Sequence, residues 1–579
     1  MKPVKLMDFR PYADGRQTVV VPYRLNGADG YMLRWTGAGD TTVTVPSPVS
    51  GWHEIHIGFM GSTSVRIKLS NEPYFRTVES TNQWHRQPNE GEEAFWQIAD
   101  LTGASFELRP RECNAQMRWE PRDCQIAYLH LAPISAPEAK RRLGCARAAT
   151  TRTAGAVLDG HILGYSYCPQ TATEVEGLIA PFIESDFKRI CMGVSITSFR
   201  LIWFSKAGYY LGQDQDIERL CQFHNKRTAR AMEAARRGGF DPVDVLIAFA
   251  AKNGLELWPS YRIQQDYPLD GVGGYDFNSP VSVNHPEWRH RDKKSEVCSY
   301  KFSHFHPGWE QYKLDLLAEL AEKGPPGIHL NLSCGCANLY DWEPRAVAAF
   351  KEKYGMDPTA TAAPPLEWYR FICDHFTGFM RRFRAQTDRI GEKLGRRIQI
   401  AVQVSADRAC VDGDNIMVSA NYTFGFDLKQ WAAEGLVDSI CPSYRGNYAP
   451  IFLEPLFSDL GAARSRVKIV PSIGQNHKAV YPPGYDWRKY FLEQEKPSQP
   501  LLPMADMDAW RILRDANDLY QQGADAVDVW EMAGAYWCLN RWHVLKRIGD
   551  RDWLAREFGT RIGPLITPVV NPLKYELPS

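Results

Sequence analysis

From about residue 155 to 560 the chain alternates short apolar runs with amphipathic helical stretches, eight times over. The runs fall at 155–165, 188–195, 256–262, 327–332, 398–404, 437–442, 467–472 and 525–531. Asp241-Pro242 gives one intervening helix a cap and a first-turn proline, and Gly254 closes it. Another helix begins near Trp309 and places Tyr312, Leu316 and Leu320 on one face. Eightfold strand–helix alternation over ~400 residues predicts an α/β fold, a (β/α)8 TIM barrel with long loops. A doubly wound open sheet would carry a glycine-rich phosphate turn after a strand, and none is found.

Residues 1–133 read differently. Alternation in TTVTVP, at Trp52, Ile55, Ile57 and Phe59, and at Val65, Ile67 and Leu69 predicts short antiparallel strands. Phe106, Leu108 and the stretch from Ile126 to Leu131 extend the pattern. A jelly-roll-like β-sandwich therefore precedes the barrel, as a glycan binder or a structural cap. Ser135 and Glu138 form a capping-box pattern that opens a linker helix over 134–154. The catalytic barrel is set at 155–560 and a C-terminal tail at 561–579.

Composition removes several functions. Lys and Arg number 68 against 68 Asp and Glu, so no net field attracts nucleic acid or an anionic membrane. Apolar runs fall far short of the ~18 residues a membrane helix needs. Thirteen cysteines with scattered spacing predict buried thiols. Cys113 with Cys124 is a candidate bridge, and Cys334-Gly-Cys336 lacks the second half of a zinc site. The first residues show no apolar signal-like run, which favours a cytoplasmic protein. Eighteen Trp, 26 Tyr and 26 Phe fit large cores, and equally rings that stack on sugar faces. A homo-oligomer is compatible with the aromatic-rich sandwich.

Barrel enzymes work at the carboxyl ends of their strands. That rule selects Glu531 as the leading catalytic group, because a carboxyl beside the indole of Trp530 loses solvation and gains proton affinity. Asp266 and Asp407 are its candidate partners. Tyr261, Arg262, His329, Asn331, Tyr444, Arg445, Gln475 and Trp530 would bind substrate through hydrogen bonds and stacking. The His304-Phe-His306 pair lacks a third ligand at useful spacing, so no metal and no cofactor is expected.

Several stretches within 240–555 resemble the family 10-like glycosyl hydrolases. They are His285-Pro-Glu-Trp288, Phe302 to Trp309, Gly327 to Asn331, Phe426 to Pro442, Gly523 to Trp530, and Ile548-Gly-Asp550. The resemblance implies a sandwich plus barrel acting on carbohydrate. Strand four of that family usually ends in an acid, whereas Asn331 stands here. The leading expectation is a glycoside hydrolase using two carboxyl groups. A non-catalytic glycan binder and, less favoured, a metal-dependent barrel hydrolase are the alternatives.

Overall fold

A computed structural model describes residues 2–36, 41–61, 63–80, 89–111, 124–143, 151–165, 167–269, 274–333, 341–360, 364–406, 408–411, 416–443, 451–474, 509–530, 539–558 and 573–574. Eight parallel strand positions close on themselves. They are Ala154–Leu158, Phe187–Gly193, Glu256–Arg262, Gly327–Asn331, Gln399–Ser405, Ser439–Ser443, the pair Lys468–Ile469 and Ser472–Gly474, and Asp528–Trp530. Strand eight pairs in parallel with strand one, Ala156 lying opposite Val529, and that closes the ring. The chain is thus a (β/α)8 barrel preceded by antiparallel sheets.

Strands one and seven depart most from their predicted bounds. Strand one stops at Leu158, because the Asp159 carboxylate accepts the His161 backbone N–H (2.9 Å) and turns the chain. Strand seven is broken at Val470-Pro471, where proline has no N–H to give the ladder. The helix expected behind Asp241 runs Pro242–Lys252, with the Asp241 side chain accepting from the Val243 N–H (2.9 Å). The capping box at Ser135 is half formed. Ser135 Oγ accepts the Glu138 N–H (3.3 Å), but Arg141 takes the Glu138 carboxylate at 2.6 Å.

Alternate residues of each barrel strand face the lumen. Val157, Cys191, Trp258, Ala401, Cys441 and Val470 form an apolar plug there, while Ile190, Leu257, Ile328, Val402 and Ile440 pack outward against the helices. Trp258 fills the lumen because Gly327 opposite has no side chain; a Cβ there would lie 2.6 Å from the indole. Beside the plug, Arg189 pairs with buried Asp528 at 2.6 Å and lies over the Trp258 ring at 5.1 Å.

Three antiparallel sheets occupy the N-terminal part. Ile55, Ile57 and Phe59 of one sheet and Val65, Ile67 and Leu69 of another meet in a shared core, each almost wholly buried. The five-stranded sheet has Val4–Leu6 at one edge and Leu573–Lys574 at the other. Cys124 Sγ accepts the Arg111 N–H at 3.3 Å, and Cys113, Cys334 and Cys336 lie outside the described residues. Among the described residues no helix is long and apolar enough to cross a membrane.

Candidate active site at the carboxyl ends of the barrel strands

The mouth is built around one ionic knot. Asp159 follows strand one and Arg262 ends strand three, and the Arg262 guanidinium pairs with the Asp159 carboxylate. Arg262 also donates to the Ile196 carbonyl (2.9 Å), and its backbone N–H donates to Ser195 Oγ (3.0 Å). His161 lies 2.6 Å through Nδ1 from the other Asp159 oxygen. Burial alone would raise the Asp159 pKa, but Arg262 and His161 outweigh it and hold the carboxyl well below its usual range. An ionised carboxylate only accepts, so His161 Nδ1 carries a proton and donates it to Asp159. His161 Nε2 is buried and has no hydrogen-bond partner among the described residues. The His224 ring stands edge-to-face on His161 at 4.4 Å. Burial, then the nearby His161, push His224 down to about 3, so it is neutral.

Of the residues expected from sequence, Arg262 belongs to this knot. Asn331 ends strand four, buried, and accepts from the Ser333 hydroxyl at 3.1 Å. His329 lies one inward position deeper, its Nδ1 2.7 Å from Ser260 Oγ. Trp530 ends strand eight, partly buried against the plug. Tyr261 does not line the mouth. It points into the layer between strands and helices, fully buried, with its hydroxyl donating to the Ser198 carbonyl (2.8 Å). Strand three is covered on both faces, so its apolar residues do not reveal which parity faces in.

Asp266 lies four residues beyond Arg262, and its carboxylate accepts the Phe302 N–H (3.1 Å). Burial pushes its carboxyl up to about 6. Glu531, Asp407, Tyr444, Arg445 and Gln475 lie outside the described residues. His304 and His306 are held by other bonds. Lys313 Nζ donates to His304 Nδ1 (2.6 Å), and His304 Nε2 donates to Gln264 Oε1 (2.9 Å). His306 Nδ1 accepts from the Gly308 N–H (3.2 Å) and caps the helix Pro307–Glu322. Among the described residues no three His, Cys, Asp or Glu side chains converge as a metal site.

Sequence reasoning missed Asp159, His161 and His224. The signal was Asp159-Gly160, a turn dipeptide inside the run taken as strand one. Ending that strand there would have put Asp159 at the mouth.

No family model matches the sequence, and no curated protein matches it. Solved structures are similar to this chain at low scores. An α-L-fucosidase isoenzyme from Paenibacillus thiaminolyticus is 12% identical with a TM-score of 0.40, over 71% of this chain and 50% of that one. This chain therefore spans about half the length of the fucosidase. The α-galactosidase TtGalA from Thermus thermophilus is 9% identical with a TM-score of 0.32, over 92% and 95% of the two chains. A chitinase from Rhizomucor miehei is 12% identical with a TM-score of 0.31, over 68% and 99%.

Proposed function

We propose that this protein is a glycoside hydrolase that cleaves its substrate with one protonated and one ionised carboxyl group. The observation that carries the reading is the contrast between two carboxyls beyond the ends of barrel strands. Burial keeps Asp266 protonated up to about pH 6, whereas Asp159 is held ionised between Arg262 and His161. The raised group can serve as the acid, whereas the ionised Asp159, taken up by Arg262 and His161, leaves the base to another carboxyl. Asp266 is the proposed general acid, donating to the leaving oxygen. Glu531 is the proposed nucleophile or base, with Asp407 the alternative, and Asp159 fixes Arg262 and His161 around the sugar. Stretches resembling the family 10-like glycosyl hydrolases support the same reading. Arg262, Asn331, His329 and Trp530, with Tyr444, Arg445 and Gln475, are the proposed substrate contacts.

The test is hydrolysis of a glycan and aryl-glycoside panel by the wild type, Asp266→Asn, Glu531→Gln, Asp407→Asn and Asp159→Asn. Loss of a general acid costs typically 10²–10⁴-fold. Asp266→Asn should lose about that much on glycosides with poor leaving groups and far less on dinitrophenyl glycosides, which need no proton. Equal losses on both would remove Asp266 from the acid role. A second reading, a glycan binder without turnover, is favoured by the amide of Asn331 at the end of strand four. Sugar binding by a wild type that cleaves nothing on the panel would establish it. Activity abolished by a chelator and restored by a divalent metal would instead select the metal-dependent alternative.

A further inference from the structure

The four-stranded N-terminal sheet is built of Val43–Pro46, Ser64–Leu69, Arg76–Glu79 and Ser105–Pro110. Side chains from it and its loops reach the segment that follows barrel strand one. Arg66 and Arg109 pair with Glu174, and the Tyr74 hydroxyl donates to Glu176 at 2.9 Å. Arg111, one residue past the last of these strands, reaches nearest to the ionic knot in sequence. Its Nη2 donates to the Tyr165 carbonyl (2.9 Å), and Nη1 pairs with the Glu79 carboxylate. The two charged side chains are only 4% and 5% exposed. A buried ion pair adds little stability over apolar side chains of similar volume, so stability alone does not account for this one. A guanidinium does offer a rigid fork, which lets one arm hold a carboxylate while the other fixes a carbonyl.

Tyr165 ends the one-turn helix Ile162–Tyr165, and that turn grows directly out of the knot. The Ile162 N–H donates to the Asp159 carbonyl (3.1 Å), and the Gly164 N–H to the His161 carbonyl (2.8 Å). A helix leaves its last carbonyls without donors of its own. Arg227, on the helix Phe223–Gly238, donates to the Gly164 and Tyr165 carbonyls, each at 3.0 Å, and Arg111 is a second donor to Tyr165. Gly164 packs directly on that same helix; a Cβ there would lie 2.2 Å from the His224 carbonyl oxygen. The Tyr165 ring lies 5.6 Å from the His161 ring and 5.7 Å from that of His224. A displacement of Tyr165 therefore carries His161 with it. His161 donates to one Asp159 oxygen, and the other oxygen holds Arg262.

We propose that Arg111 is a positioning residue for the barrel mouth: through the Tyr165 carbonyl, the N-terminal sheet sets His161 against Asp159 and so fixes the Arg262 guanidinium that meets the substrate. The sheet is then a working part of the site rather than a separate glycan binder. What the mouth does rests on the hydrolase reading above; how it is held does not. The experiment uses the full chain and follows the His161 Nδ1–H proton resonance, assigned by its loss in His161→Gln. Arg111→Met combined with Glu79→Met removes both charges together and leaves Tyr165 its bond from Arg227, so the melting temperature should stay near that of the wild type. Arg111→Lys keeps the charge beside Glu79 without the planar fork, and it carries the test should the double variant not fold. Both variants should displace the His161 resonance. On any glycoside that the wild type cleaves, they should raise KM about three- to tenfold with kcat changed less, the range for one neutral hydrogen bond to a substrate-binding group. Glu174→Ala, which loosens the same segment farther along, should lower the melting temperature and leave the His161 resonance in place.

An unmoved His161 resonance in the Arg111 variants would overturn the positioning role. So would an equal displacement in Glu174→Ala, since His161 would then respond to any loosening of the segment. A displaced resonance with KM unchanged would also overturn it and leave the hydrolase reading standing. A displaced resonance in a protein whose wild type cleaves no glycoside would overturn the hydrolase reading and keep Arg111 as the residue that holds His161.

Discussion

His329 and His224 show what a buried imidazole does to the stability of the whole chain. Each has a folded-state pKa near 3, against about 6.5 for an unfolded histidine. Between those values only the unfolded chain binds the proton. Their stabilising effect is thus complete above pH 6.5 and is lost as pH falls toward 3. By pH 4.5 the loss should be about 2–3 kcal/mol per histidine, and urea midpoints of His329→Gln should fall less steeply with acid than those of the wild type. Asp266 has the opposite sign. Its folded pKa is raised to about 6, so stability declines as pH rises from about 4 through 6. Asp266→Asn should therefore be the more stable protein above pH 6, by up to about 3 kcal/mol, with the gap closing below pH 4. At this scale the strand-end rule reached Arg262, His329 and Asn331. It failed at Tyr261, where burial on both faces hides parity, and at Asp159, where a turn lay inside an apolar run.

Among the elements, the eight barrel strands were readable because each apolar run ends in turn residues. Their packing was not, since Gly327 and Trp258 lie 69 residues apart and nothing local links them. Gly327→Ala would press a methyl group against the indole and should cost about 1–3 kcal/mol, read from denaturant midpoints. Trp258→Phe in the same chain should recover part of that loss, and the double-mutant cycle measures the contact. A cost unchanged by Trp258→Phe would place the strain elsewhere. The break in the seventh strand falls at Pro471, which removes one ladder donor from the predicted run 467–472.

Across the whole molecule, the N-terminal sheets are fastened to the barrel by charge as well as by apolar surface. Arg66, only 3% exposed, and Arg109 both pair with Glu174 at 3.4 and 3.3 Å. Arg66 also lies over the Tyr167 ring at 3.8 Å. Glu174→Ala would remove the shared partner of these two cations and should cost about 2–4 kcal/mol, against near neutrality for the exposed pair partner Glu218→Ala. Calorimetry would read both. His543 Nε2 donates to the Phe95 carbonyl (2.9 Å), and Leu539 enters the N-terminal core. The five-stranded sheet carries the furthest consequence. Its two edges are the first and last described strands, and Leu573 pairs with Gly91 about 480 residues earlier. During synthesis at ~5–20 residues per second, the outer edge of Glu90–Asp100 waits roughly 25–100 s for its neighbour to be made. For that interval the strand groups at Glu90 and Gly91 stand open on the nascent chain, and their exposure to wrong partners is set by the time the ribosome takes to finish the barrel.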